Sequence, residues 1–220
     1  MLRFPVFCLL LVLAACGSAP PDTVEQRPRA AEPAPDPRPA IVAFGDSLSA
    51  GYGLDPGQSY PDFLQRALDA RGIAFRVVNA GVSGDTTSGG LARIDTVLSH
   101  KPVLVILELG GNDGLRGIPI AETRGNFQKM IERLQAGGAR VLLAGITLPP
   151  NYGSEYIGAF EEMYRDLAKQ YGVPLIPFLL EGVALESGMM QRDGIHPTAD
   201  GNRKVAETVL RYLEPMLPRS

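Results

Sequence analysis

Ile41-Val42-Ala43-Phe44-Gly45-Asp46-Ser47-Leu48-Ser49 passes abruptly from an apolar run to Gly-Asp-Ser. A short apolar run stopped by glycine reads as a buried strand, and residues just past the carboxyl end of such a strand lie where open α/β sheets bind their ligands. Two readings of Ser47 follow: a nucleophile at the sheet's carboxyl edge, or, with Asp46, the cap of a following helix, the commoner job of a serine in that position.

Outward from this strand, apolar runs alternate with stretches of helical periodicity. Ser59-Tyr60-Pro61 opens a helix whose inner face is Phe63, Leu64, Ala67 and Leu68 and which Gly72 closes. Phe75-Arg76-Val77-Val78 is a second strand. Asp85-Thr86-Thr87 starts a single helix carrying Leu91, Ile94 and Leu98 as far as His100-Lys101-Pro102. The run 103–107 is the most continuously apolar and reads as a central strand buried on both faces. A helix with Phe127, Met130, Ile131 and Leu134 inward stops at Gly137-Gly138, 141–146 is a fourth strand, and Tyr156, Phe160, Met163, Tyr164 and Leu167 share a helix face. The fifth strand is 173–178, and Val205, Val209, Leu210 and Leu213 mark the last helix. Five β-α units imply a three-layer, flavodoxin-like α/β fold, a parallel sheet with helices on both faces and right-handed crossovers. Pro174 and Pro177 suit an edge strand and Arg76 the opposite edge, so the expected order is 2-1-3-4-5, with Ser47 at the crevice beside the first strand.

The 220 residues are 45% hydrophobic and 20% charged, which suits one soluble domain with a sizeable core. A net charge of -3 without any local Lys/Arg cluster gives nucleic acid no footprint. Residues 1–15 read as a leader: Arg3 starts it, and the apolar run that follows is shorter than the roughly 20 residues a membrane-spanning helix needs. Leu13-Ala14-Ala15-Cys16 resembles the lipobox of bacterial lipoproteins, which implies cleavage before Cys16 and lipidation of its thiol as a membrane anchor; Gly17 next to it implies the outer membrane. Secretory cleavage to a soluble periplasmic protein is the alternative. Residues 16–39 hold seven prolines among alanines and charges and read as a tether, leaving 40–220 as the folded domain, expected to be a monomer. Both cysteines, Cys8 and Cys16, precede that domain, so it holds no disulfide, no cysteine-ligated metal and no cysteine nucleophile.

A serine hydroxyl needs a base, and histidine is the usual one. His100 sits in a polar connection, whereas His196, in Asp193-Gly194-Ile195-His196-Pro197, emerges after the last strand, at the same edge as Ser47. Asp193, three residues earlier, can reach the imidazole in a turn and hold its tautomer; a turn-capping aspartate beside a histidine that merely precedes a helix explains the stretch as well. Gly84 and Asn112, after the second and third strands, can bring N–H donors to a developing oxyanion, although each is a common turn residue. Glu108 and Asp113, two acids near a strand end, read as a capping or structural arrangement rather than a glycosidase pair. No phosphate-binding loop GxxxxGK[ST] is present, and no metal or cofactor is expected.

Together these stretches resemble the SGNH (GDSL) hydrolase family. Gly45-Asp46-Ser47-Leu48, Gly84, Gly111-Asn112-Asp113 and Asp193-x-x-His196-Pro197 match its four blocks in order, across nearly the whole domain. Around Ala50-Gly51-Tyr52, 79–86, 108–117, 148–153 and 193–197 the chain is similar to the acyl-CoA thioesterase, lysophospholipase and arylesterase subgroup. The resemblance implies Ser47 as nucleophile, His196 as base, Asp193 as its orienter, and the Ser47 and Gly84 N–H groups with the Asn112 amide as oxyanion hole. It implies an esterase acting on acyl esters or thioesters; a carbohydrate acetylesterase of the same family and a non-catalytic flavin or phosphate binder are the alternatives. The loops 114–119 and 148–153 carry apolar side chains on glycine- and proline-punctuated backbone, so Leu115 and Tyr152 are expected to line an acyl groove.

Overall fold

The structure, a computed structural model, describes residues 36–218. The leader, Cys16 and the greater part of the proline-rich segment lie outside the described residues. Of that segment, Arg38 pairs with Asp69 at 2.7 Å and the Pro39 carbonyl accepts from Arg76 N–H at 3.0 Å, so contact with the domain begins before Ala40.

Strands β1 (Ala40–Gly45), β2 (Arg76–Gly81), β3 (Pro102–Glu108), β4 (Arg140–Ala144) and β5 (Leu175–Ile176) form one parallel sheet in the order β2-β1-β3-β4-β5. This is the expected order. Because the sheet is covered on both faces, alternate residues of one strand enter two different cores. Ile41 and Ala43, Leu104 and Ile106, Leu142 and Ala144 pack with α2 (Tyr60–Ala70) and α8 (Ala199–Leu213). Val42 and Phe44, Val105 and Leu107, Val141 and Leu143 pack with α4 (Ile94–Ser99), α6 (Ile120–Ala136) and α7 (Ser154–Tyr171). Each fully buried Leu, Ile, Val or Phe contributes on the order of 1.5–3 kcal/mol, so the continuous apolar reading of β3 has its energetic reason in two cores rather than one. Helix α2 starts as its residues dictate, with Ser59 and Asp62 forming a reciprocal capping box and Pro61 in the first turn. Among the described residues no helix is long and apolar enough to cross a membrane.

Two expectations need correction. The stretch after Thr86 is two short helices, α3 (Thr87–Ala92) and α4, instead of one, because the chain turns at Arg93 (φ -108°). Arg93 is drawn inward there: its guanidinium bonds the Asp85 carboxylate at 2.6 Å and the carbonyls of Ala80 and Gly45 at 2.7 and 2.9 Å. The fifth strand is two residues long, because Pro174 and Pro177 flank it and neither has an N–H to give to a ladder.

At the carboxyl end, Gly45 pairs in register with Gly81 on one side and Glu108 on the other. A Cβ at Gly45 would strike the Ser49 hydroxyl and the Glu108 side chain and come within 2.6 Å of the Glu108 carbonyl oxygen. Gly45→Ala is therefore expected to cost about 3 kcal/mol in equilibrium urea unfolding, the usual scale of overpacking against backbone; a loss below about 1 kcal/mol would show that the strand ends can separate cheaply.

Candidate active site

The common register of β2, β1 and β3 starts three loops from one edge, and the residues singled out in the sequence lie on them. Asp46, not Ser47, caps α1 (Ser47–Ala50): its Oδ1 accepts from Leu48 N–H at 3.0 Å. Ser47 takes the first helical position, which leaves its hydroxyl available. Ser47 Oγ lies 2.9 Å from His196 Nε2, and His196 Nδ1 lies 2.7 Å from Asp193 Oδ2. Asp193 Oδ1 also accepts the N–H groups of Ile195 and His196, both at 3.0 Å. Burial pushes the Asp193 carboxyl up, but its hydrogen bonds from His196 and from the two backbone N–H groups outweigh that, so it stays below the usual aspartate range and charged. A neutral imidazole held this way carries its proton on Nδ1 and presents a free Nε2 to the serine. His100 follows α4 at the opposite edge of the sheet, where its carbonyl accepts from Arg76.

Two residues around this chain of bonds were given no role in the sequence. The Tyr52 ring lies 4.6 Å, centroid to centroid, from the imidazole of His196. Gln191 ties the two loops, its Nε2 donating to the carbonyls of Tyr52 at 2.8 Å and Pro197 at 2.9 Å. Neither has a local signal in the sequence, since both act across 139 residues of chain in the Gln191–Tyr52 bond.

Gly84 stands in a turn closed by Asp85 N–H on the Val82 carbonyl at 3.1 Å, with φ +84°, a left-handed value that glycine alone takes freely. The N–H groups of Ser47 and Gly84 donate to no acceptor among the described residues. Asn112 belongs to α5 (Gly111–Leu115), a short helix that the sequence reading passed over. Its Nδ2 is engaged twice, donating to Asp46 Oδ2 at 3.0 Å and to the Asp85 carbonyl at 2.9 Å. Arg116 Nη2 adds a bond to the Gly84 carbonyl at 2.9 Å. Thus two bonds, Asn112 to Asp85 and Arg116 to Gly84, tie the turn of Gly84 to α5.

Beneath them lies a carboxyl pair. Glu108 is 0% and Asp46 2% exposed. Glu108 Oε2 accepts from Asp46 N–H at 3.2 Å and the Ser49 hydroxyl at 2.8 Å, and that hydroxyl is also 3.1 Å from Tyr60 OH. Glu108 Oε1 has no partner among the described residues. Burial first, and the neighbouring charge of Asp46 second, push the Glu108 carboxyl well above its usual range. Burial raises Asp46 to about 6 against the lowering pull of its bonds from Leu48 and Asn112. Asp113 has a different job: it accepts the Thr87 N–H at 2.8 Å and the Thr87 hydroxyl at 2.5 Å, holding the start of α3. Of the capping or structural arrangement expected for these two acids, Asp113 takes the capping part and Glu108 the structural one.

A cavity of about 690 Å³ opens beside Ser47 and His196, lined by Leu115, Ile146, Leu148, Phe178 and Leu180. Leu115 is part of this lining; Tyr152, expected in an acyl groove, is not. Its ring packs on the core beneath α6 and α7, and its hydroxyl donates to the Leu115 carbonyl at 2.9 Å, so it buttresses the wall from behind. Sequence reading missed the contribution of 178–185, which has no motif and reaches the cavity only because the chain folds back there after β5. Among the described residues no group of three or more His, Cys, Asp or Glu is placed to hold a metal ion.

Residues 43–204 match the family described as GDSL-like Lipase/Acylhydrolase. Esterase TesA of Pseudomonas aeruginosa is 49% identical over 178 residues, 80% of this chain and 89% of that protein. The thioesterase 1/protease 1/lysophospholipase L1 of Escherichia coli is 41% identical over 178 residues, 80% of this chain and 84% of that one. The crystal structure of TesA superposes with a TM-score of 0.78 at 49% identity, covering 81% of this chain and 99% of that one.

The carboxyl pair sets a sign for stability. A group whose native pKa lies above its unfolded value stabilises fully below the unfolded value and loses that contribution as pH rises through the native one. Both Glu108 and Asp46 are raised. Melting temperature should therefore fall as pH rises through about 6, where Asp46 ionises, and on beyond it, and Glu108→Gln, which cannot ionise, should fall less. Equal slopes in calorimetry for variant and parent would contradict a raised Glu108.

Proposed function

The chain belongs to the GDSL-like lipase/acylhydrolase (SGNH) family of carboxylic ester hydrolases, and from that premise we propose that it hydrolyses acyl esters and thioesters through Ser47, His196 and Asp193. Ser47 Oγ attacks the acyl carbonyl as His196 Nε2 takes its proton. The carbonyl oxygen becomes an oxyanion that receives the N–H groups of Ser47 and Gly84 and the amide of Asn112. Collapse of this intermediate expels the alcohol or thiol, which leaves with the proton from His196, and Ser47 holds the acyl group as an ester. Water then attacks that ester, giving its proton to His196, and the second collapse returns the proton to Ser47 and releases the acid.

The observation that carries this reading is the unbroken run of hydrogen bonds, Ser47 to His196 at 2.9 Å and His196 to Asp193 at 2.7 Å, at the mouth of an apolar cavity. The cavity also favours one range of substrates. Its walls of Leu115, Ile146, Leu148, Phe178 and Leu180 offer carbon surface to an alkyl chain and few partners to a sugar. Medium and long acyl groups fit such a lining better than acetyl.

The outer envelope of a bacterium is the proposed location, with the domain a monomer tethered through 16–39 to a lipid on Cys16. The lipobox-like Leu13-Ala14-Ala15-Cys16 and the proline-rich segment after it support this.

Each buried CH₂ is worth about 0.8 kcal/mol, so kcat/KM in a series of p-nitrophenyl esters and acyl-CoAs should rise a few-fold per carbon from acetyl until the cavity is full. Ser47→Ala should lose at least about 10³-fold throughout the series, while His100→Ala stays near the parent. An optimum at acetyl would turn the reading toward a carbohydrate acetylesterase. For the anchor, Cys16→Ser should move the full-length protein out of the detergent phase; unchanged partitioning would remove the lipid from the account.

A further inference from the structure

Large apolar side chains left in water are ordinary when scattered and informative when gathered. Among the described residues, those exposed are Tyr52, Val82, Val103, Leu185 and Ile195. Val103 stands apart, near the amino end of β3. The others lie at the carboxyl edge of the sheet on separate loops: Tyr52 follows α1, Val82 follows β2, Leu185 follows β5 and Ile195 precedes α8. Tyr52, Leu185 and Ile195 line the cavity beside Ser47, and Val82 adjoins Ser83 and Gly84, which line it as well. Leu185 is fully exposed and holds φ +68°, a left-handed value that glycine or asparagine takes more readily. Neither burial nor backbone preference within the domain accounts for a leucine there.

The chain that leads into the domain points to what covers this rim. It enters at the opposite edge of the sheet, where the Pro39 carbonyl accepts from Arg76 at the start of β2 and β1 begins at Ala40. Residues 16–35 are 20 in number, and a proline-rich segment of that length reaches about 60 Å at about 3.1 Å per residue. A domain of about 180 residues has a radius of gyration of about 16 Å and is on the order of 40 Å across. A lipid on Cys16 therefore leaves enough chain for the far edge, the one that carries Ser47, to lie on the same membrane. Long acyl esters collect in such a membrane because water rejects their chains. A carbon-lined cavity with a carbon rim admits an alkyl chain from it without exposing that chain to water.

We propose that Tyr52, Val82, Leu185 and Ile195 seat the mouth of the cavity on a phospholipid surface, from which the acyl chain of the substrate passes directly to Ser47. This rests on the ester-hydrolase reading of the cavity and on the lipid at Cys16, and it narrows the substrates to amphiphiles held in the membrane.

The 220 residues include no tryptophan, so a single introduced indole reports its own surroundings. Val82→Trp and Leu185→Trp, with Val103→Trp as reference from the opposite edge, are made in the full-length protein and mixed with an excess of phosphatidylethanolamine and phosphatidylglycerol vesicles containing brominated phosphatidylcholine. Side chains seated about 5–10 Å into the boundary between headgroups and acyl chains are quenched more by bromine placed high on the acyl chain than by bromine at its end. Blue-shifted emission and that order of quenching are expected at positions 82 and 185, and neither at 103. Val82 lies outside the cavity lining, so Val82→Asp should slow hydrolysis of p-nitrophenyl palmitate held in the vesicles several-fold and leave p-nitrophenyl butyrate in water at the parent rate.

The proposal falls if positions 82 and 185 are quenched no more than 103, or if Val82→Asp treats the two esters alike. It falls also if emission at 82 and 185 is blue-shifted without vesicles and moves with protein concentration, which would put a second copy of the chain on the rim. Failure of the two underlying readings looks different: neither ester would be cleaved although quenching persists, or Cys16→Ser would float with the vesicles as well as the parent does.

Discussion

Three parallel strands end level with one another at Gly45, Gly81 and Glu108, and almost everything of chemical interest is hung from that line. The close approach is possible because Gly45 has no side chain to meet Ser49 and Glu108. Arg93 holds the same line from the other face of the sheet, bonding the carbonyls of Ala80 and Gly45 while its guanidinium lies 4.7 Å from the Phe44 ring centroid. The Gly45 carbonyl also accepts from Val82 N–H at 3.0 Å, so the guanidinium adds a second bond there. The same guanidinium reaches β2 through Ala80, and its remaining bond to Asp85 aims the turn that carries Gly84.

How much of this could be read from residues alone depends on the range of the interaction. Strand order was legible because it rests on local facts: the length of the apolar run in β3, prolines around β5, arginine on β2. Ser47, His196 and Asp193 were legible as candidates because Ser47 falls just past a strand, the other two lie between the last strand and the last helix, and the Asp193–His196 pair is three residues apart. What remained hidden is set by contacts between distant segments. Arg93 breaks a helix that its neighbours alone would continue, since it answers to carbonyls on two strands. Tyr152 has the composition of a groove residue, yet its hydroxyl finds the Leu115 carbonyl and its ring turns to the core. Glu108 ends an apolar strand, and nothing adjacent in sequence says that Ser49 and Asp46 will meet it.

Two buried acids next to Ser47 are costly. Removing a carboxylate from water is unfavourable unless hydrogen bonds compensate, and Glu108 Oε1 is left without one among the described residues. A domain selected for stability alone would fill this space with an apolar side chain. Its retention under the serine loop is the pattern seen where local stability is given up to hold a few atoms in place.

The bond between His196 and Ser47 spans 149 residues, and the strand that leads toward His196, β5, is the shortest in the sheet. Long-range pairings form late, because loop-closure entropy must be met first. The serine half of the site sits on the inner strands, the histidine half beyond an edge held by few ladder bonds. An edge of that kind opens locally at lower free energy than the centre of a sheet. Under the proposed triad, hydrolysis reports on the completeness of the chain's folding: a partly opened molecule keeps Ser47 at the end of β1 while His196, beyond β5, is elsewhere.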